Sequence, residues 1–160
     1  MLFKTIFFSL LIAISFGCGN HPASDSVKAF TIALADSSWS DAWAMLTPET
    51  QLTWDSTAVV FQQFGYTESS EFLATLSVPV TEEEFSSLDG ELLFTRMVES
   101  TPAIAELSSS VRDVELVDST TVLVTIATSA GEQVIPVELV EGLWLLDLTT
   151  LTPAPETSDE

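Results

Sequence analysis

Few residues in this sequence offer chemistry. Cys18 is the one cysteine, so no disulfide can close within the chain and a single thiol nucleophile remains. His21 is the one histidine; three residues past Cys18 and next to Pro22, it is expected to be a solvated linker residue, not a catalyst. Asp147 stands in the apolar run 143–148. Buried there, a carboxylate has a raised pKa and can act as a general base; exposed, or paired with Arg96 or Arg112, it is structural. Glu82-Glu83-Glu84 follow Thr81 and precede Phe85. That order predicts a helix N-terminus with a Thr81–Glu84 capping box, not a metal cluster. Trp39, Trp43, Trp54 and Trp144 either line an apolar pocket or fill a core, and core is the commoner use of aromatics at helical and strand spacing. No Gly-rich phosphate loop, Cys/His zinc spacing or serine nucleophile elbow is present. The reading therefore assigns no catalytic residue, no metal ligand and no cofactor.

Cys18 gains its meaning from what precedes it. Residues 1–17, MLFKTIFFSLLIAISFG, carry Lys4 near the start and are apolar over 6–16 except for Ser9 and Ser15. The stretch is shorter than the roughly 20 residues of a bilayer span and has the length of a signal-peptide core. Gly17 precedes Cys18, and the chain turns polar at once. This resembles the lipobox of bacterial lipoproteins, in which a small residue precedes the cysteine that is lipidated and becomes the mature N-terminus. In Ser15-Phe16-Gly17-Cys18 the last two residues match, whereas Ser15 and Phe16 depart from the usual leucine and small or aliphatic residue. The resemblance implies cleavage between Gly17 and Cys18, a lipid on the Cys18 sulfur, and anchoring through two or three acyl chains. An ordinary signal peptide with an incidental cysteine, or an uncleaved anchor, is the alternative. Gly19, where aspartate favours inner-membrane retention, implies the outer membrane over the inner.

All 24 acids follow Cys18, but only Lys28, Arg96 and Arg112 among the basic residues do, so residues 18–160 carry a formal charge of −21. Such a surface excludes nucleic acid as a partner, since phosphate binding needs clustered Lys and Arg. It also repels anionic headgroups, so the domain is expected to stand off the membrane. Solubility or adaptation to a salty medium accounts for the charge, and the scarcity of lysine favours the second. No Asp-rich loop has calcium-ligand spacing.

The periodicity changes along the chain. A first helix is expected from Ser24 or Asp25 to the Asp36-Ser37-Ser38 cluster, with Val27, Phe30 and Leu34 as its apolar stripe. A short second helix over 40–46, capped by Ser40 or Asp41, puts Trp39, Trp43 and Leu46 on one face. Thr47 caps a third with Pro48 at its first position, Val59, Val60 and Phe64 as its apolar residues, and Gly65 as its stop. Between Pro79 and Pro102, Leu92, Leu93, Met97 and Val98 have helical spacing. From Val111 the period is two: runs at 111–117 (with Val114 and Leu116 on one face), 121–127, 134–140 and 143–148 are joined by links short enough for antiparallel neighbours. Pro136 argues that the third run is an edge strand or carries a bulge. The run 143–148 is apolar on both faces apart from Asp147, so it is central or covered by helices. The tail 151–160 is proline-rich and acidic, and is expected to be disordered.

Two segments together are similar to the nuclear-transport-factor-2-like (cystatin-like cone) superfamily. Val27-Lys28-Ala29-Phe30 with the following Leu46-Thr47-Pro48-Glu49 resembles its opening helices, and Glu141-Gly142-Leu143-Trp144 resembles its closing hairpin. Residues 56–105 are more helical than the superfamily's usual pattern. The Asp–His pair of its catalytic members has no counterpart, since no histidine follows His21. The expectation is an α+β domain, with N-terminal helices packed on a curved antiparallel sheet of about four strands. Its organisation is a signal peptide at 1–17, a lipidated tether at 18–23, the domain at 24–150 and the tail at 151–160. The function implied is a membrane-anchored envelope lipoprotein that binds an envelope protein or a small apolar ligand without catalysis. The alternative is a small cavity enzyme, isomerase or hydrolase, working through carboxylates alone.

Overall fold

The computed structural model describes residues 21–101, 110–128 and 131–149. The leader, Gly17, Cys18 and the acidic tail lie outside the described residues. Among the described residues the fold is α+β, with six helices and a four-stranded antiparallel sheet.

Helix α1 (Pro22–Ala35) starts earlier than its capping signals suggest. Its N-cap is His21, whose ring Nδ1 accepts from the Ala23 amide at 3.2 Å, and Pro22 occupies the first helical turn. Proline suits that place because its missing N–H would have no partner there. His21 is thus half-buried and structural, not a solvated linker residue, and α1 begins at Pro22, inside the expected tether. Ala23, Val27, Phe30, Ala33 and Leu34 form the buried stripe. Helix α2 (Trp39–Ala44) has Ser38, and not Ser40 or Asp41, at its N-cap position, and the Ser38 side chain makes no capping hydrogen bond. Ser40 is instead free to donate its hydroxyl to Glu91.

Helix α3 (Pro48–Phe64) begins as expected, with Thr47 Oγ1 accepting from the Thr50 amide at 3.2 Å. Gly65, at φ +86° and ψ +166°, ends it and caps α4 (Tyr66–Thr75). That region of backbone space is essentially open to glycine alone. Helix α5 (Glu82–Phe85) carries the full capping box: Thr81 Oγ1 accepts from the Glu84 amide, and Glu84 accepts from the Thr81 amide at 2.9 Å. Helix α6 (Gly90–Glu99) is capped by Asp89 and crosses α3 at close range. Gly90 makes the crossing possible: its amide donates to Asp55 at 2.9 Å, and a Cβ there would lie 2.6 Å from the Asp55 backbone nitrogen.

Strands β1 (Val111–Leu116), β2 (Thr121–Thr128), β3 (Gly131–Val140) and β4 (Leu143–Leu146) form a meander in sequence order. Val122, Val124 and Ile126 of β2, Ile135 and Val137 of β3, and Leu146 of β4 all turn toward the helices and are buried. They meet α1, α2 and the Phe94–Val98 face of α6 in one core. A second core lies among α3, α4, α5 and the other side of α6, built from Ala58, Leu73, Val78, Val80, Phe85, Leu88 and Leu93.

One sheet expectation is corrected. Strand β3 is interior, between β2 and β4, and the break in register falls in β1, between Val111 and Asp113. Pro136 is tolerated because its carbonyl accepts from Asp147 at 2.9 Å, one residue past the last residue of β4; its missing donor therefore faces the place where that ladder ends. Strand β4 is at the edge and, as the second expected alternative, is covered by a helix, α1; its free side is closed by residues 45–47, where Leu146 N donates to Met45 O and Thr47 N to Leu146 O, both at 2.9 Å. The bulge in β1 leaves Val111 and Val114 against the core, whereas Leu116, beyond the helices, is exposed.

Candidate functional site

The four tryptophans do not converge on a pocket. Trp43 and Trp54 both lean on the buried ring of Phe94, each with centroids 5.7 Å apart. Trp144 meets the ring of His21 edge-on at 5.0 Å, and Trp39 packs against the sheet core. All four pack, partly buried, against the sheet core, and none lines either groove on the outside of α3 and α4.

Asp147 is a structural clamp. Its Oδ1 accepts from the Thr149 amide at 2.9 Å and the Thr149 hydroxyl at 2.6 Å, and the Thr50 hydroxyl lies 3.3 Å away. Thr50 Oγ1 also accepts from the Leu148 amide at 3.0 Å. These bonds tie the end of β4 to the start of α3, and no arginine takes part. Arg96 instead donates to Glu84 and to Glu99, the latter at 2.6 Å, joining α6 to α5. The Thr81 backbone amide, and then the Arg96 guanidinium, hold the Glu84 carboxyl below its usual range.

The unexpected feature is on the outside of α3 and α4. Val59, Val60 and Phe64, the apolar residues that predicted this helix, are 49%, 47% and 66% exposed, and Leu52, Phe72 and Leu76 join them at the surface. The residues of α3 that reach the second core are Trp54, Ala58 and Phe61. The helix is apolar along two faces, and only one of them can be buried. Periodicity alone could not choose between the faces. The clue in the sequence was their coexistence, since Trp54-Ala58-Phe61 and Leu52-Val60-Phe64 are two separate helical stripes.

Where α3 turns into α4 at Gly65, this surface dips into an open groove of about 300 Å³ lined by Phe61, Phe64, Glu68, Ser69 and Phe72. The rings of Phe61 and Phe72 stand 5.9 Å apart. Ser69 is buried at the floor, its hydroxyl spent on the Phe61 carbonyl at 2.7 Å, so it leaves an apolar base. Glu68 is the charged residue of the lining. A second shallow depression runs along α3, lined by Glu49, Leu52, Thr53, Ser56, Thr57 and Val60. A patch of this kind takes up an apolar side chain or a small apolar ligand; it gathers no nucleophile with a base.

Among the described residues no helix is long and apolar enough to cross a membrane. No family model, curated protein or solved structure matches the chain.

Proposed function

We propose that this chain is a lipid-anchored envelope protein whose α+β domain works by binding an envelope protein or a small apolar ligand, not by catalysis. The observation that carries the binding half is the apolar surface of α3 and α4, with its groove between Phe61, Phe64 and Phe72, on a strongly acidic domain. The one carboxylate in an apolar strand, Asp147, is occupied by Thr149 and Thr50.

The anchoring half is supported by the order of features along the chain: an apolar leader, Gly17, Cys18, then two residues before the His21 cap. In this reading residues 1–17 are removed and the Cys18 sulfur carries the lipid, with the outer membrane favoured over the inner. The helices-then-meander order and the Glu141-Gly142-Leu143-Trp144 turn support kinship with nuclear-transport-factor-2-like domains, with the helical core around α3–α5 as the departure from that pattern.

Metabolic labelling with a fatty acid, followed by mass spectrometry of the N-terminus, tests the anchor. The native chain should begin at Cys18 and carry label, and Cys18→Ser should lose it. A native chain that starts upstream of 18, or carries a bare thiol there, sinks the proposal.

A further inference from the structure

The sheet end that carries His21 collects apolar residues, of which Leu116, Val117 and Leu143 belong to neither core. In an antiparallel meander the first and third turns fall at the same end, and the pairings Thr121↔Glu138 and Val140↔Leu143 place both turns there. The edge-on contact of His21 with Trp144 brings the start of α1 to that end as well. Leu116 and Val117, entering the first turn, are 56% and 55% exposed, and Leu143, leaving the third, is 65% exposed, with Trp144 half-buried beside it. Helix α3 starts beside Leu146, at the opposite end of β4.

Gly19 and Asn20 alone separate Cys18 from His21. Even fully extended, that link spans about 11 Å. A lipid on Cys18 therefore fixes more than the address of the domain. It brings the end that carries His21 within a headgroup layer of the bilayer, and the charge of the rest of the domain cannot carry it further off. We infer that this sheet end docks on the lipid surface, with Leu143 and Trp144 from one turn and Leu116 and Val117 from the other entering the boundary between headgroups and acyl chains.

This inference rests on the reading of Cys18 as lipidated, and it replaces a domain standing off the membrane with one seated on it. A tryptophan with an aliphatic neighbour suits that depth, since its ring is apolar and its N–H finds water or a headgroup. The acids at the same end set the lipid preference. Asp118 turns its carboxylate inward to the Thr120 and Thr121 amides at 2.7 and 2.8 Å, whereas Glu138 and Glu141 remain beside the apolar residues. The docked surface is therefore zwitterionic, because anionic headgroups repel these acids.

The test uses the full lipidated chain, purified from bacterial membranes and floated with phosphatidylcholine vesicles. Leu143→Cys and, separately, Val60→Cys carry a nitroxide whose collision with oxygen and with a nickel chelate is compared. Docking predicts that the oxygen-to-nickel ratio at 143 rises severalfold on vesicles while that at 60, on α3, does not. Leu116→Asp in the Leu143→Cys background should lower the ratio without releasing the chain, and added phosphatidylglycerol should lower it too. A chain that floats with both labels in water overturns the docking and leaves the anchor standing. A chain that does not float, with unmodified Cys18, overturns both.

Discussion

The two hydrophobic cores of this domain are built under different constraints. The sheet core buries fifteen of the described residues, drawn from α1, α2, α6, three strands and, at Leu46, the link between α2 and α3, and the inward residues of β2 have no exposure at all. Period-two strands with helices on one side sort their residues cleanly, since every second side chain has a place to go. The helical core buries seven, and three of these, Val78, Val80 and Leu88, come from the links between helices. Its longest helix, α3, has only Thr50 and Ala58 fully buried among seventeen residues. The smaller core cannot absorb both apolar faces of α3, and the surplus becomes surface. The sheet core closes over its inner face and leaves Leu116, Val117 and Leu143 exposed near its turns, whereas the helical core closes partly and keeps a continuous apolar face for a partner.

The sharpest way to break this comparison is to hollow each core in turn. Phe94 is 2% exposed, sits in the sheet core and touches both Trp43 and Trp54, the second of which also packs on the helical core. Leu73 is fully buried in the helical core alone. Phe94→Ala should cost about 3–5 kcal/mol and lower hydrogen-exchange protection in both α4 and β2. Leu73→Ala should cost about 2–4 kcal/mol but open α4 and α5 while the β2 amides stay protected. If Leu73→Ala exposes β2 equally, the two cores are a single cooperative unit and the distinction drawn above fails.

Acid and salt sharpen it further, with a smaller effect. Each region contains one carboxyl held below its usual range: Glu84 by the Thr81 amide first and Arg96 second, and Asp118 by the Thr120 amide first and the Thr120 hydroxyl second. A depressed folded pKa means stability that is present above the unfolded value, near pH 4, and is lost as pH falls through the folded value. Both sites should therefore loosen only in acid. They should differ in salt, because Arg96 is a charged partner for Glu84 whereas the causes acting on Asp118 are neutral hydrogen-bond donors. Carboxyl titration by NMR in low and molar salt should raise the Glu84 midpoint and leave Asp118 nearly fixed. Thr81→Ala, which removes one half of the capping box, should cost about 1 kcal/mol and act on α5 alone. Equal salt sensitivity of the two carboxyls contradicts this account.

Much of this was legible wherever a local rule decides the outcome. Thr47-Pro48 and Thr81 with Glu84 announce helix starts because a side-chain oxygen and a fixed φ satisfy the first turn whatever surrounds it. Gly65 announces a stop because no other residue takes its backbone angles. The four strands follow from alternation and short links. What escaped was decided by distant partners. Pro136 sits inside the sheet because β4 ends one residue before Asp147, a fact about strand length and not about proline. His21 caps α1 because Trp144, more than a hundred residues later, gives its ring a surface. For the candidate site the sequence supplied the right residue types on the wrong elements: it pointed to four tryptophans, each of which had core to cover, while the open groove fell to phenylalanines at the α3–α4 turn.

The smallest expected effect on stability bears most directly on function. If the outer face of α3 is surplus to folding, Leu52→Ser and Phe64→Ser should change unfolding free energy by less than about 0.5 kcal/mol, because both side chains are already more than 60% exposed and leave no cavity behind. The same substitutions remove apolar area that a partner would cover, so Phe64→Ser in particular should weaken uptake of a neutral apolar dye at the groove, where its ring stands with Phe61 and Phe72. Denaturant titration and dye fluorescence on the same variant separate the two roles. A stable Phe64→Ser chain with lost dye binding identifies the face as one kept for contact. A chain that unfolds easily would show that the ring supports the helical core after all, and that the region closes more completely than its exposure suggests.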